Sequence, residues 1–253
     1  MPKAIQPNDL ISLRDDLPQH NLLRGRIGRV IQVFTPDEFE VEFWDLWDLD
    51  GVYSVTTEKV RLKTEQVTSL YDNVTVDEAA FWKLIEAARA DSGGDIQRQY
   101  ELLIDRLAAM PIADIFMFGD IFDKFHDMAY RRELWAAAYI IGGGCSDDGF
   151  IDFRAWLIAQ GEKVFHDALR DPEILVDLVP MISRDGFTYA NAEFEPMNYV
   201  DRHAYEEKTG EKMPFFPPIY PYPELTGEDW DDETVDRMYP KLVAKFEGGE
   251  DVQ

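Results

Sequence analysis

The residues best suited to chemistry lie in one turn near the middle of the chain. A run of three glycines is followed by a cysteine, a serine and two aspartates, at Cys145, Ser146, Asp147 and Asp148. Free backbone N–H groups at a helix N-terminus bind anions, but two aspartates there would repel a phosphate. Arg154 follows about two helical turns later and is placed to pair with a carboxylate. The turn therefore predicts either a helix cap or a recognition site that uses both aspartates and Arg154.

Cys145 is the only cysteine of the chain, and it directly precedes the predicted helix N-terminus. This position lowers the pKa of a thiol and so favours reactivity. A lone cysteine beside glycines is also commonly a small buried residue. Both interpretations stay open for Cys145 at this point.

Two helical spacings suggest metal ligands. Asp123 and His126 are three residues apart, as are His203 and Glu206, and this spacing occurs in helical bundles that bind two metal ions. The full Glu-x-x-His pattern is absent, and an acidic chain produces such spacings by chance. The sequence therefore predicts no cofactor and leaves these four residues as weak metal candidates. No phosphate-binding loop, dinucleotide fingerprint or hydrolase motif is present.

The pattern of apolar, glycine and capping residues predicts one helix before the central turn and one after it. Residues 134–141 carry no charge, which predicts a helix buried on most sides, and the glycines provide its C-terminal stop. Ser146, Asp147 and Asp148 all suit a helix N-terminus. The helix that follows has its apolar face at Phe150, Phe153, Trp156 and Leu157.

Residues 1–70 predict short β-strands, with Phe39, Val41 and Phe43 on one face. Five such strands indicate a small barrel. This part resembles a family of small bacterial SH3-like domains of unknown function through the segments 9–10, 16–18, 22–25, 28–30 and 39–43. Stand-alone members of that family look like partner proteins encoded beside putative toxins. Trp44 and Trp47, in an insertion before Gly51, are either a cap on the barrel or an exposed contact patch.

Helical periodicity begins after a linker at 68–75. Thr75, with Glu78 three positions on, predicts a capping box. Residues 76–247 resemble a second uncharacterised bacterial family, an all-helical domain, through the segments 81–88, 134–158 and 204–210. The resemblance implies a fold and no activity. Glu206 and Glu207, in the last matching segment, are further candidate binding residues.

The charge balance restricts the classes of partner. The chain has 50 acidic and 25 basic residues and a net charge of −25, which disfavours nucleic acid and anionic membrane and favours a basic protein. A single cysteine and an N-terminus without an apolar run fit a cytoplasmic protein. Solubility alone is the alternative explanation of this charge, and the sequence favours it slightly over a dedicated basic partner.

These observations predict a multidomain chain: an SH3-like barrel at 5–67, a linker at 68–75, a helical domain at 76–247 and an acidic tail at 248–253. The function that they favour is a cytoplasmic protein-binding module, immunity- or antitoxin-like, that acts on a basic partner. The alternative is a metal-dependent enzyme of unknown reaction with its site on the helical domain. The sequence specifies neither the partner nor the oligomeric state.

Overall fold

The protein is described by a computed structural model that covers residues 4–49, 52–72, 74–184, 187–214, 223–231 and 233–246. For residues 45–49, 52–56, 184 and 187–188 it describes the backbone alone. The predicted acidic tail at 248–253 lies outside these residues.

The N-terminal part forms a five-stranded antiparallel sheet, as predicted. The strands are β1 (Leu10–Leu13), β2 (Ile27–Thr35), β3 (Glu38–Leu49), β4 (Val52–Lys63) and β5 (Val67–Ser69), in the order β4-β3-β2-β1-β5. Because β1 pairs with both β2 and β5, the first and last strands lie side by side, as in SH3-like barrels. Two strands expected near 51–56 and 60–62 are one strand, β4, and the short β5 was missed.

The predicted insertion at 44–49 continues the sheet. Its backbone pairs without a break from Glu38 opposite Lys63 to Leu49 opposite Val52. One face of the sheet holds a core that contains Phe39, Val41 and Phe43, as the alternation predicted. Gly28 is required there, because a Cβ at this position would lie 2.6 Å from Val41 Cγ1 and 2.7 Å from Phe43 Cε1.

The rest of the described chain is mainly helical. Its α-helices are α1 (Glu78–Asp91), α2 (Ile96–Ala109), α3 (Ile112–Met128), α4 (Arg132–Gly142), α5 (Asp147–Ala159), α6 (Glu162–Arg170), α7 (Val200–Thr209), α8 (Val235–Met238) and α9 (Pro240–Phe246). Short 3-10 helices span Pro172–Asp177 and Glu195–Tyr199. A hairpin of β6 (Met181–Arg184) and β7 (Phe187–Ala190) stands where only a turn was expected, so this region is not all helical.

The start of α1 corrects one prediction. Its N-cap is Asp77, whose side chain accepts a hydrogen bond from the Ala80 N–H at 2.8 Å, so the capping box at Thr75 is wrong. Thr75 instead donates its N–H and its hydroxyl to the buried carboxylate of Asp114, at 2.6 and 2.9 Å. The Val76 N–H donates to the same carboxylate at 3.1 Å. Asp114 thus fixes the entry to α1 against the first turn of α3.

The sheet and the helices share apolar packing. Leu10 and Ile27 are buried within the core cluster of the helical region. The Tyr71 hydroxyl, just after β5, donates to Asp120 on α3 at 3.1 Å. The domain boundaries drawn from the sequence stay a prediction.

Within the described residues, no helix has the length and apolar character needed to cross a membrane.

Candidate functional site

The central turn has the predicted form of helix, glycine turn and helix. Gly143 ends α4 in the left-handed conformation, with a φ of 64°. The N-cap of α5 is Ser146, whose hydroxyl accepts from the Gly149 N–H at 3.1 Å. Asp147 and Asp148 are exposed in the first turn of α5. They therefore complement the helix dipole without serving as the cap itself.

Arg154 does not face the two aspartates, so the predicted pairing is wrong. Its side chain is buried, with 6% of the residue exposed. The Nε atom donates to the Phe150 carbonyl at 3.3 Å, and a terminal nitrogen donates to the His126 carbonyl at 3.0 Å. The guanidinium lies 4.8 Å from the ring centre of Tyr130. Burial lowers the pKa of Arg154 to about 10, and its contacts hold α5 against the end of α3.

Cys145 is not an activated thiol. Burial raises the pKa of its thiol to about 12, and the carboxylates of Glu193, Asp147 and Asp152 add to the shift. The expected effect of the helix N-terminus is thus outweighed by desolvation and negative charge. The Cys145 carbonyl accepts a hydrogen bond from the Trp135 indole at 3.1 Å, which closes the turn.

Four carboxylates converge beside this turn, and we call them the α5 acidic group: Asp148, Asp152, Glu193 and Glu195. Glu193 approaches α5 so closely that a Cβ on Gly149 would lie 3.1 Å from its Oε1 atom. Burial raises the pKa of Asp152 to about 6, and Glu195, Glu193 and Asp148 raise it further. No lysine or arginine of the described chain forms an ion pair with any member of the group.

A second cluster, the α3–α7 acidic group, consists of Asp120, Asp123, Asp127 and Asp201. Desolvation raises the pKa of Asp123 to about 7, and Asp201, Asp120 and Asp127 raise it further. Burial also raises the pKa of each of the other three carboxyls.

A cleft of about 50 Å³ lies beside the α3–α7 acidic group. Asp123, Asp201, Asn198 and Arg202 are among its lining residues. Asn198 also donates through Nδ2 to Asp152 at 3.0 Å, so this residue lines the cleft and is hydrogen-bonded to the α5 acidic group. We call the two groups with this cleft the acidic face.

Sequence reasoning missed most of the acidic face. Glu193 and Glu195 are more than 40 residues from Asp152, and nothing local indicates that they meet. The signal that was available is the spacing of Asp148 and Asp152, four residues apart on one helix face.

The predicted metal residues do not form a metal site. The Nε2 atom of His126 lies 3.1 Å from the Ile151 carbonyl oxygen, and burial followed by the Arg154 charge lowers the pKa of His126 to about 4. The Nδ1 atom of His203 is hydrogen-bonded to the Tyr100 hydroxyl. Among the described residues, no three His, Cys, Asp or Glu side chains are grouped to hold a metal ion.

The remaining candidate residues are not members of the acidic face, and the side chain of one of them is not described by the structure. Glu206 and Glu207 are exposed on α7. Trp44 is partly buried, and its carbonyl accepts from the Arg26 guanidinium at 2.6 Å. The side chain of Trp47 lies outside the described residues.

Fold and site together define a protein in which an SH3-like sheet precedes a mainly helical region that carries an acidic face. The family model described as "Protein of unknown function (DUF4240)" matches residues 76–207. This match covers more than half of the chain, and the chain belongs to that family. Residues 8–69 match the model described as "Domain of unknown function (DUF4926)". Both resemblances to uncharacterised families are thereby confirmed. No curated protein and no solved structure matches the chain.

The cap geometry separates the roles of neighbouring residues in the central turn. We expect Ser146→Ala to lower the free energy of unfolding by about 1 kcal/mol, because the Gly149 N–H loses its acceptor. We expect Asp148→Asn to change it by less than about 0.5 kcal/mol, since Asp148 is exposed and is not the cap. Urea denaturation of the two variants measures the difference. Equal losses in both would contradict the assignment of Ser146 as the cap.

Proposed function

We propose that this protein is a binding module that recognises a basic protein partner through the acidic face. The observation that carries the proposal is the convergence of the α5 acidic group, in which four carboxylates meet without a cationic partner in the described chain. Carboxylates held together in this way repel one another, and an incoming lysine or arginine relieves that repulsion. The folded chain keeps them together through hydrogen bonds and packing.

The position of the acidic face supports this function. Asp148, Glu193 and Glu195 are exposed, so a partner reaches them without a change in the fold. The net charge of −25 adds a long-range field that speeds encounter with a basic protein. An immunity- or antitoxin-like role is the form of this function that the N-terminal resemblance favours.

The metal-dependent enzyme is the weaker proposal. Its four residues are divided among separate contacts, because His126 faces the Ile151 carbonyl and His203 bonds Tyr100. No specific contact in the described residues favours it.

A pull-down from cells of the organism that encodes the chain tests the binding proposal. We expect the wild-type protein to retain one basic protein at low salt and to release it at about 1 M salt, where screening acts within about 3 Å. The triple variant Asp148→Asn/Glu193→Gln/Glu195→Gln, which we call the face variant, should retain at least tenfold less of this protein. It lacks the three exposed negative charges of the α5 acidic group, which attract a basic partner.

A second triple variant provides the charge-matched control. Asp37→Asn/Glu65→Gln/Asp105→Asn removes three exposed carboxylates outside the acidic face, and it should retain the partner as the wild type does. The proposal fails if the wild type retains no basic protein, or if the face variant and the control retain it equally.

A further inference from the structure

Asp152 occupies the junction between α5 and the segment 193–199. Its carbonyl accepts from the Phe194 N–H at 3.1 Å, and its carboxylate accepts from Asn198 Nδ2 at 3.0 Å. The backbone and the side chain of this one residue thus tie α5 to the 3-10 helix Glu195–Tyr199. Asp152 is partly buried, whereas the other carboxylates of its group are exposed.

Among the described residues, the charged groups that shift the pKa of Asp152 are negative. Asp148 lies one turn earlier on α5, Glu193 comes from the loop before the 3-10 helix, and Glu195 begins that helix. The Cys145 thiol, with its raised pKa, is neutral near pH 7. The described contacts of Asp152 include one neutral donor, Asn198, and no cation. Binding of a proton to Asp152 therefore reduces the repulsion among the carboxylates at this junction.

We propose that Asp152 is the proton-binding residue of a pH-dependent junction between α5 and segment 193–199. Protonation of Asp152 in mild acid reduces the negative charge of the acidic face and weakens its binding to a basic partner. This inference rests on the proposed function, because it describes how the same surface is regulated. It concerns the partly buried member of the α5 acidic group, which is held by hydrogen bonds on both its backbone and its side chain.

The direction of the pH effect follows from the pKa of Asp152, which burial and the neighbouring carboxylates raise to about 6. An unfolded aspartate has a pKa of about 3.9. Between about pH 6 and pH 4 the folded protein binds a proton at Asp152 that the unfolded chain does not bind. Stability from this group therefore rises as the pH falls through 6, and it is lost as the pH rises again.

Asn198 extends the effect beyond Asp152. Asn198 also lines the cleft that contains Asp123 and Asp201. A change in charge at Asp152 alters the acceptor that orients its side-chain amide.

A titration of the side-chain carboxyl carbons by NMR tests the proton site in the full chain. We expect the Asp152 carboxyl to titrate near pH 6 and its signal to be missing in Asp152→Asn. Asn198→Ala should move the midpoint upward, because the lost hydrogen bond favoured the charged form. Asp105→Asn, an exposed change on α2, should leave the midpoint unchanged. A midpoint below about 4.5 overturns the inference.

Binding of an oligolysine peptide tests the link to the partner surface, since lysine stays charged from pH 5 to pH 8. At pH 8 the wild type should bind about two- to fivefold more tightly than Asp152→Asn, the range expected for one charge pair. At pH 5 the two affinities should be equal. A ratio that does not change with pH overturns the inference, even where binding itself is intact. No binding of oligolysine by the wild type at pH 8 instead overturns the proposed function, whatever the NMR midpoint.

Discussion

Asp114→Ala should lower the free energy of unfolding by about 3–5 kcal/mol. The residue is fully buried, with 0% of its surface exposed, and its carboxylate accepts three hydrogen bonds from Thr75 and Val76. Hydrogen bonds to a charged group contribute about 1.5–3 kcal/mol each, and the buried N–H of Val76 would be left unpaired at a cost of about 1–3 kcal/mol. The chain between the sheet and α1 would lose these three hydrogen bonds to α3 and would keep only the bond from Tyr71 to Asp120 among those described. Chemical denaturation measures the loss.

Two variants show whether the position of Asp114 is responsible. Asp77→Ala removes another aspartate that accepts a backbone hydrogen bond, but at an exposed N-cap, and we expect a loss of only about 1 kcal/mol. Asp114→Asn keeps one acceptor oxygen, so its loss should fall between the two. A loss at Asp114→Ala no larger than at Asp77→Ala would show that this carboxylate does not anchor the linker.

Arg154→Ala should be the second most damaging change, with a loss of about 2–4 kcal/mol. It removes the side-chain hydrogen bonds to the carbonyls of Phe150 and His126, and the loss of a buried hydrogen-bond partner costs about 1–3 kcal/mol. It also removes cation–π contacts with Tyr130 and Phe150, each about 0.5–2 kcal/mol. Thermal and urea unfolding measure the effect.

The control for Arg154 is Arg98→Ala, which removes an exposed arginine that pairs with Glu101. Exposed pairs contribute about 0–1 kcal/mol, so this variant should remain near wild type. Arg154→Lys keeps the positive charge but lacks the planar fork that reaches two carbonyls, and its loss should be intermediate. If Arg154→Ala were as stable as wild type and instead lost partner binding, the structural role described for this residue would be wrong.

Local patterns were sufficient for several elements of this fold, although β5 and the β6–β7 hairpin were missed. The alternation of Phe39, Val41 and Phe43 placed them on the inner face of the sheet. The uncharged run before the central glycines, with Gly143 as the stop, gave α4 and the start of α5. These signals depend on neighbours within one or two turns, where sequence spacing and spatial distance coincide.

Long-range polar contacts could not be predicted in the same way. Thr75 looked like a helix cap because its local sequence has the spacing of a capping box. Its hydroxyl instead donates to the carboxylate of Asp114, which is 39 residues away in sequence. Arg154 was expected to face Asp147 and Asp148, yet the helix turns it toward α3 and the His126 carbonyl. The α5 acidic group needed the approach of the segment 193–199 to α5, which no single-sequence pattern encodes.

The burial of Leu10 and Ile27 among helical side chains has a consequence for the sheet taken by itself. Each of the two parts of the chain matches its own family model. A sheet without these helices would expose both aliphatic side chains to water. We therefore expect polar residues at positions 10 and 27 in sheets that occur by themselves, and apolar residues there in sheets that adjoin such helices.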